Sequence, residues 1–137
     1  MFTISARGIY GLTAVTELAI NYNGNPMQIK DISEINDIPR HYLEQLLVVL
    51  KKAGITESVR GSRGGYILAK PPSEIKVLDV FTCLEGKLEV VPEDKREGML
   101  SFFWNTLEKK IISLLDMSLE ELVLKKQAFE KQLIYHI

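Results

Sequence analysis

Residues 39–72 read PRHYLEQLLVVLKKAGITESVRGSRGGYILAKPP, and their pattern changes twice. From Tyr42 through Leu43, Leu46, Leu47 and Leu50 to Lys52 the apolar side chains recur at helical spacing. Pro39 suits the first turn of that helix, where its missing N–H costs nothing, and Gly54 supplies a left-handed stop. The period then falls to two. Ile55-Thr-Glu-Ser-Val59 and Tyr66-Ile-Leu-Ala69 alternate on either side of Arg60-Gly-Ser-Arg-Gly-Gly65. This predicts a β-hairpin whose tip is too glycine-rich to pack and carries two arginines. Pro71-Pro72 ends it.

Working back towards the start, residues 5–21 predict a helix with Ile9, Leu12, Val15, Leu18 and Ala19 inward and Ser5 as its cap. The run Asn21 to Pro26, NYNGNP, stops it. A short helix follows over 28–35, with Ile29, Ile32 and Ile35 on one face, and Asn36-Asp37 makes a tight turn. Two helices joined by such a turn, the second presenting Arg40, His41, Glu44 and Gln45, have helix-turn-helix geometry. With an arginine-tipped hairpin directly behind them they describe a winged helix.

Working forward, residues 77–84 predict a helix closed by Gly86, and 87–95 an irregular connection. A long helix is predicted over 96–115. Its ridge Met99, Phe103, Leu107, Ile111 and Leu115 is flanked by Phe102, Trp104, Ile112 and Leu114, a surface wider than one small domain needs to cover. Ser118-Leu-Glu-Glu121 matches a capping box and opens a last helix through Leu122 and Val123 to about Phe129. After the charged stretch Lys125 to Lys131, the ending Leu133-Ile-Tyr-His-Ile137 is apolar again. The fold expected is mainly α with a small β-hairpin wing: a winged helix-turn-helix over 1–86, then a connection, a dimerisation helix and a C-terminal helix and tail over 87–137.

The 137 residues, 46% apolar and 26% charged, are ordinary for one folded domain. Net charge is −1, but it is unevenly spread: residues 39–72 hold six Lys/Arg against two Asp/Glu, a local +4. Such a stripe is the electrostatic footprint of a DNA-contacting face. No apolar run is long enough to span a bilayer, and MFTISARGIYG lacks a signal-peptide core, so no membrane association and a cytoplasmic location are expected. The single cysteine, Cys83, excludes an internal disulfide, and His41 and His136 offer no metal spacing. Cys83 sits in an apolar helix and reads as a buried structural thiol; Trp104 reads as packing. Nothing points to an enzyme, because no nucleophile–base pair is present and GSRGG lacks the Lys-Ser/Thr of a phosphate loop. A helix-turn-helix used only for protein interaction would not need Arg60 and Arg63.

The runs YLEQLL (Tyr42 to Leu47), KKAGI (Lys51 to Ile55), SVRGSRGGYILAKPP (Ser58 to Pro72), DVFTCLEG (Asp79 to Gly86) and SARGIYGL (Ser5 to Leu12) resemble the IscR/NsrR/CymR-type regulators, the Rrf-two family. The resemblance covers residues 1–86 closely and continues more weakly through Ser118 to Leu122 to about Leu124. It implies a homodimeric repressor bound to double-stranded DNA at a palindromic operator. Glu44 and Gln45 would face the major groove and Arg60 the minor groove. Arg7, Arg40, His41, Tyr42, Gly61, Ser62, Arg63 and Gly64 complete the DNA-contacting set, and Met99, Phe103, Leu107 and Ile111 pair the two long helices. Cluster-bearing members place three cysteines between the wing-following helix and the long helix. Lys87 to Leu107 has neither Cys nor His, which implies the cluster-free, CymR-like branch, with no metal and no cofactor. A cluster-free regulator responding to redox or nitric oxide stress is an alternative. Ala6, Ile9 and Pro39 depart from the family pattern, which bears on one or two phosphate contacts. That branch also implies control of cysteine metabolism and a partner, O-acetylserine sulfhydrylase (cysteine synthase), held through the C-terminal Ile137.

Overall fold

The computed structural model describes residues 3–135. Among them, six helices and one hairpin run in the order α1 (Ala6–Ile20), α2 (Ile29–Asn36), α3 (Arg40–Lys52), β1 (Thr56–Val59), β2 (Gly65–Leu68), α4 (Val77–Glu85), α5 (Ser101–Leu115) and α6 (Leu119–Tyr135). Single 3-10 turns at Pro72–Glu74 and Glu93–Lys95 sit in the connections.

The α1–α4 crossing organises the first four helices. Gly8 and Gly11 face α4 so closely that a Cβ at Gly11 would lie 2.0 Å from Leu84 Cδ1, and one at Gly8 would lie 2.5 Å from Glu85 Oε1. At this distance the two helix ends satisfy each other. The Glu85 carboxylate accepts from the backbone N–H of Ser5 (3.0 Å) and of Gly8 (3.1 Å), and the Ser5 hydroxyl donates to the same oxygen. In return Arg7 Nε donates to the Leu84 carbonyl (3.2 Å). The first N–H groups of a helix need acceptors. Here the acceptor comes from another helix, so Ser5 holds the N-cap position without capping by its own side chain, contrary to the sequence expectation.

The α2–α3 turn is short because Asp37 takes the left-handed conformation (φ 52°) and Ser33 Oγ donates to the Ile38 carbonyl at 2.5 Å. Leu43, Leu46, Leu47 and Leu50 of α3 are all buried, against Val15 and Leu18 of α1 and Ile32 of α2. The hairpin pairs antiparallel from Thr56 opposite Leu68 to Val59 opposite Gly65. It is fixed twice. Buried Thr56 donates from Oγ1 to the Leu47 carbonyl of α3 (3.3 Å), and Tyr66 exchanges both backbone hydrogen bonds with Met27 (2.7 and 3.0 Å). Gly65 permits that second pairing, since a Cβ there would lie 2.3 Å from the Met27 oxygen.

Two boundaries differ from the sequence reading. Helix α5 starts at Ser101 rather than near Arg96, because Gly98 has φ 125° and no right-handed helix passes through it. Met99, placed on the helical ridge by sequence, therefore precedes the helix and is 92% exposed. Helix α6 runs unbroken to Tyr135 instead of ending near Phe129, so Leu133-Ile-Tyr135 is helix and not a separate apolar tail. The expected Ser118 cap does form, with Ser118 Oγ accepting from the Glu121 N–H at 3.1 Å.

The core crosses the division at residue 86. Leu119, the first residue of α6, is fully buried in the same cluster as Ile75, Val80 and Leu50. Backbone hydrogen bonds from Leu119 N to Ile75 O (2.8 Å) and from Val77 N to Met117 O (2.9 Å) stitch it in place. Leu119→Ala is accordingly expected to destabilise the whole winged-helix unit by about 2–5 kcal/mol, the usual cost of a leucine-sized core cavity. Urea denaturation followed by far-ultraviolet circular dichroism measures it; an unchanged midpoint would show that α6 is not part of this core.

Candidate nucleic-acid interface

Because α3 buries its leucines, its opposite face is open to solvent. Arg40, His41, Glu44 and Gln45 are all exposed within its first two turns. Gln45 Nε2 and His41 Nε2 stand 3.3 Å apart, one turn from each other, so these side chains share a face. Glu can accept from a cytosine amino group, Gln can pair bidentately with adenine, and Arg can pair with guanine. Tyr42 differs: half-buried, its ring stands edge-on to Tyr10 with centroids 5.7 Å apart, which commits much of it to packing.

The wing projects beside this helix. Lys51 Nζ donates to Ser58 Oγ (2.6 Å), tying the end of α3 to strand β1. Arg60, Gly61, Ser62 and Arg63 are exposed at the tip, while Gly64 is buried under the turn. The turn closes through Gly64 N to Gly61 O (3.0 Å), and a Cβ on Gly64 would meet the Val59 oxygen at 2.1 Å. The ion pairs among the described residues, Lys76–Asp116, Arg96–Glu108 and Lys126–Glu130, leave Arg40, Arg60 and Arg63 unengaged. Their charge faces water, which suits a polyanion.

Of the residues singled out from the sequence, α3 and the wing gather Arg40, His41, Glu44, Gln45 and Arg60 to Gly64 on adjacent elements. Arg7 stands apart at the α1–α4 junction, its Nε spent on Leu84. Gln28 and Lys30, at the start of α2, were not anticipated; they line one groove with Arg40, Glu44 and Tyr66. A basic residue two places after a helix start was the available signal.

Phe103, Leu107 and Ile111 lie on α5, which contains no buried residue in a single chain. Phe102 and Phe103 are 68% and 49% exposed. Trp104 packs edge-on against Phe103 at 5.2 Å. Ile137 lies outside the described residues. Cys83, expected to be buried, is only partly so: it packs against the core and lines the wall of a cleft with Gly54, Lys70, Glu74 and Asp79. Its surroundings are still apolar enough that burial pushes the thiol up from its ordinary value, with Arg7 opposing weakly. Its Sγ points at the Val49 carbonyl of α3 at 3.9 Å.

A family model described as "Rrf2: Iron-dependent Transcriptional regulator" matches residues 4–125. The HTH-type transcriptional regulator CymR of Bacillus subtilis is 34% identical over 137 residues, covering 98% of this chain and 99% of CymR. The HTH-type regulator IscR of Photorhabdus laumondii is 34% identical over 135 residues, covering 93% and 82%. The solved structure of CymR, described as the global cysteine regulator of B. subtilis, superposes with a TM-score of 0.79 at 36% identity, covering 91% of this chain and 98% of CymR. That of T. potens IscR gives 0.79 at 38%, covering 96% and 91%. The iron in the family description finds no fit in these residues. Residues 87–107 contain no Cys or His, and among the described residues no three His, Cys, Asp or Glu side chains gather as a metal site. Iron–sulfur clusters are held chiefly by cysteine thiolates.

Base reading and backbone attraction should separate by mutation. Glu44→Ala is expected to lower discrimination between operator sequences by about 1–3 kcal/mol at one base pair while leaving non-specific affinity unchanged. Arg60→Ala should weaken operator binding and flatten its salt dependence. Fluorescence anisotropy on matched and mismatched duplexes over a salt series reads both effects. Equal weakening on every duplex by Glu44→Ala would make Glu44 a structural residue.

Proposed function

The chain belongs to the Rrf2 family of transcriptional regulators, and from that premise we propose that it is a cytoplasmic, homodimeric, cluster-free repressor that binds a palindromic DNA operator. One observation carries this reading: the exposed polar face of α3 and the arginine-tipped wing are held side by side by the Thr56–Leu47 and Lys51–Ser58 hydrogen bonds. Glu44 and Gln45 enter the major groove, with Arg40 and His41 beside them on bases or phosphates. Arg60 and Arg63 reach the narrow minor groove on a tip whose glycines allow close approach. Residues 1–86, over a core that Leu119 completes, read DNA, and α5 within 87–137 pairs the protomers.

Dimerisation is supported by α5. An apolar helix without one buried residue is costly to leave in water, and a two-fold pairing of Phe103, Leu107 and Ile111 would cover it. Two-fold symmetry also matches two half-sites on one face of the duplex. Phe103→Asp is expected to give a monomer that has lost most of its operator affinity. Sedimentation velocity decides: a variant that sediments like the parent would take Phe103 out of the interface.

For the pathway, the likeness to CymR, the global cysteine regulator of B. subtilis, supports control of cysteine metabolism by this chain as well. The signal then enters through a partner, O-acetylserine sulfhydrylase, which takes the aliphatic side chain and carboxylate of Ile137 in its own ligand pocket. Accumulated O-acetylserine would displace the tail and, by linkage, weaken DNA binding. Calorimetric titration of the sulfhydrylase with the full-length protein is expected to show binding at micromolar concentration that removal of His136 and Ile137 abolishes. No heat from the intact chain would end the assignment.

A further inference from the structure

The connection between α4 and α5 is pinned by one side-chain cluster. Arg96 lies on the connection, after the 3-10 turn, and Glu108 lies on the second turn of α5. Their ion pair is bidentate: Nη1 donates to Glu108 Oε2 at 2.8 Å and Nη2 to Oε1 at 2.6 Å. Arg96 Nη2 also donates to the Val91 carbonyl (3.2 Å), and Glu108 Oε1 accepts from the Val90 N–H (3.4 Å). Asn105 completes the cluster, with Oδ1 3.5 Å from Arg96 Nη1. The two charged side chains are only 25% and 17% exposed, against about half for both partners of the Lys76–Asp116 and Lys126–Glu130 pairs. The Arg96 hydrogen bonds hold the Glu108 carboxyl below its ordinary range, so the pair is charged at neutral pH. A planar fork met by a carboxylate at both oxygens is the geometry in which such pairs constrain orientation as well as add energy.

The cluster matters because little else holds α5. The helix has no buried residue; its last residue, Leu115, is half-buried against the core, and the rest of its contact runs along the connection and α4. At about 100° per residue, Asn105 lies opposite Phe103 and Leu107, and Glu108 lies between Asn105 and the edge of the pairing face at Ile111. The cluster thus lies beside the pairing face rather than within it, meeting its edge at Ile111.

We propose that Arg96 and Glu108 are positioning residues that fix the angle at which α5 leaves the DNA-reading unit, and thereby set the half-site spacing the dimer accepts. This rests on the dimeric reading given above. Rigid spacing follows from rigid protomers: two recognition helices must reach the major groove one helical turn apart, and a swinging α5 blurs that distance. The reading face and the pairing face are left chemically intact when the cluster is broken.

The test uses the full-length protein and a palindromic duplex that it recovers from genomic fragments, together with versions lengthened or shortened by one base pair at the centre. The parent should prefer one spacing sharply. Arg96→Ala should remain a dimer by sedimentation and bind a single half-site as the parent does. On the preferred spacing it should bind about tenfold more weakly, as loss of a charge-assisted fork predicts, and its preference over the shifted duplexes should largely vanish. Glu108→Ala, which breaks the fork from the other side, should lose the spacing preference equally, and the double variant should lose no more than either single one, as two partners of one interaction do and two independent structural losses do not. A dimeric Arg96→Ala protein with the parent's spacing preference would overturn the proposal. So would a dimeric double variant whose loss of spacing preference is the sum of the two single losses. A monomeric parent would instead overturn the dimeric reading on which the proposal stands.

Discussion

The close crossing of α1 over α4 is the contact from which the reading surface is built. Only glycine at positions 8 and 11 lets the helices approach this far, and the approach brings the Glu85 carboxylate to the free N–H groups of α1. Arg7 reciprocates at the end of α4. An anion at a helix start and a cation at a helix end are each favourable, so one junction satisfies two termini at once. With α1 held there, Val15 and Leu18 form the platform on which the leucines of α3 lie, and the polar face of α3 has one direction left to point.

The wing's placement follows the same logic on the other side of α3. Hairpins of two short strands are marginal alone. This one gains a third partner in Met27, which pairs with Tyr66 in the manner of an adjoining strand, and an anchor in Thr56. Rigidity at the root and openness at the tip are thereby separated by only a few residues. The tip from Arg60 to Arg63 owes nothing to the core, so its side chains are free to serve a ligand.

Much of this was readable without coordinates, for a physical reason. Pro39, Gly54, Pro71 and Gly86 are local punctuation, and the leucine spacing between them is local periodicity, so α3, the hairpin and α4 fall where expected within a residue or two. What escaped were features whose cause lies far along the chain. The acceptor for the start of α1 is 77 to 80 residues away in sequence, and the local hydroxyl of Ser5 drew attention instead. Arg96 looked like the first residue of a helix because apolar periodicity begins nearby, but its fork belongs to Glu108 and Gly98 turns the chain first. The length of α6 is a different kind of miss. The charged run from Lys125 to Lys131 interrupted the apolar pattern, yet Lys, Gln, Ala and Glu are strong helix formers, and propensity outweighed pattern there. At the interface itself, exposure and adjacency came from the structure, whereas the choice of Glu44, Gln45 and Arg60 came from residue chemistry alone.

The burial of Leu119 bears on how the protein is made. Domains usually fold in the order in which they leave the ribosome, the N-terminal one first. Here the core beneath the recognition helix has a gap at Ile75 and Val80 until Leu119 arrives, and the strand-like pairing of Lys76 with Ser118 has no other source. The nascent chain must therefore release α5, a helix with no fully buried residue, before that core is complete. Completion of that core and exposure of the apolar side chains of α5 become nearly simultaneous events. A prematurely ended polypeptide that stops before α6 keeps the exposed side chains of α3 and the wing but lacks the leucine that completes the core beneath them.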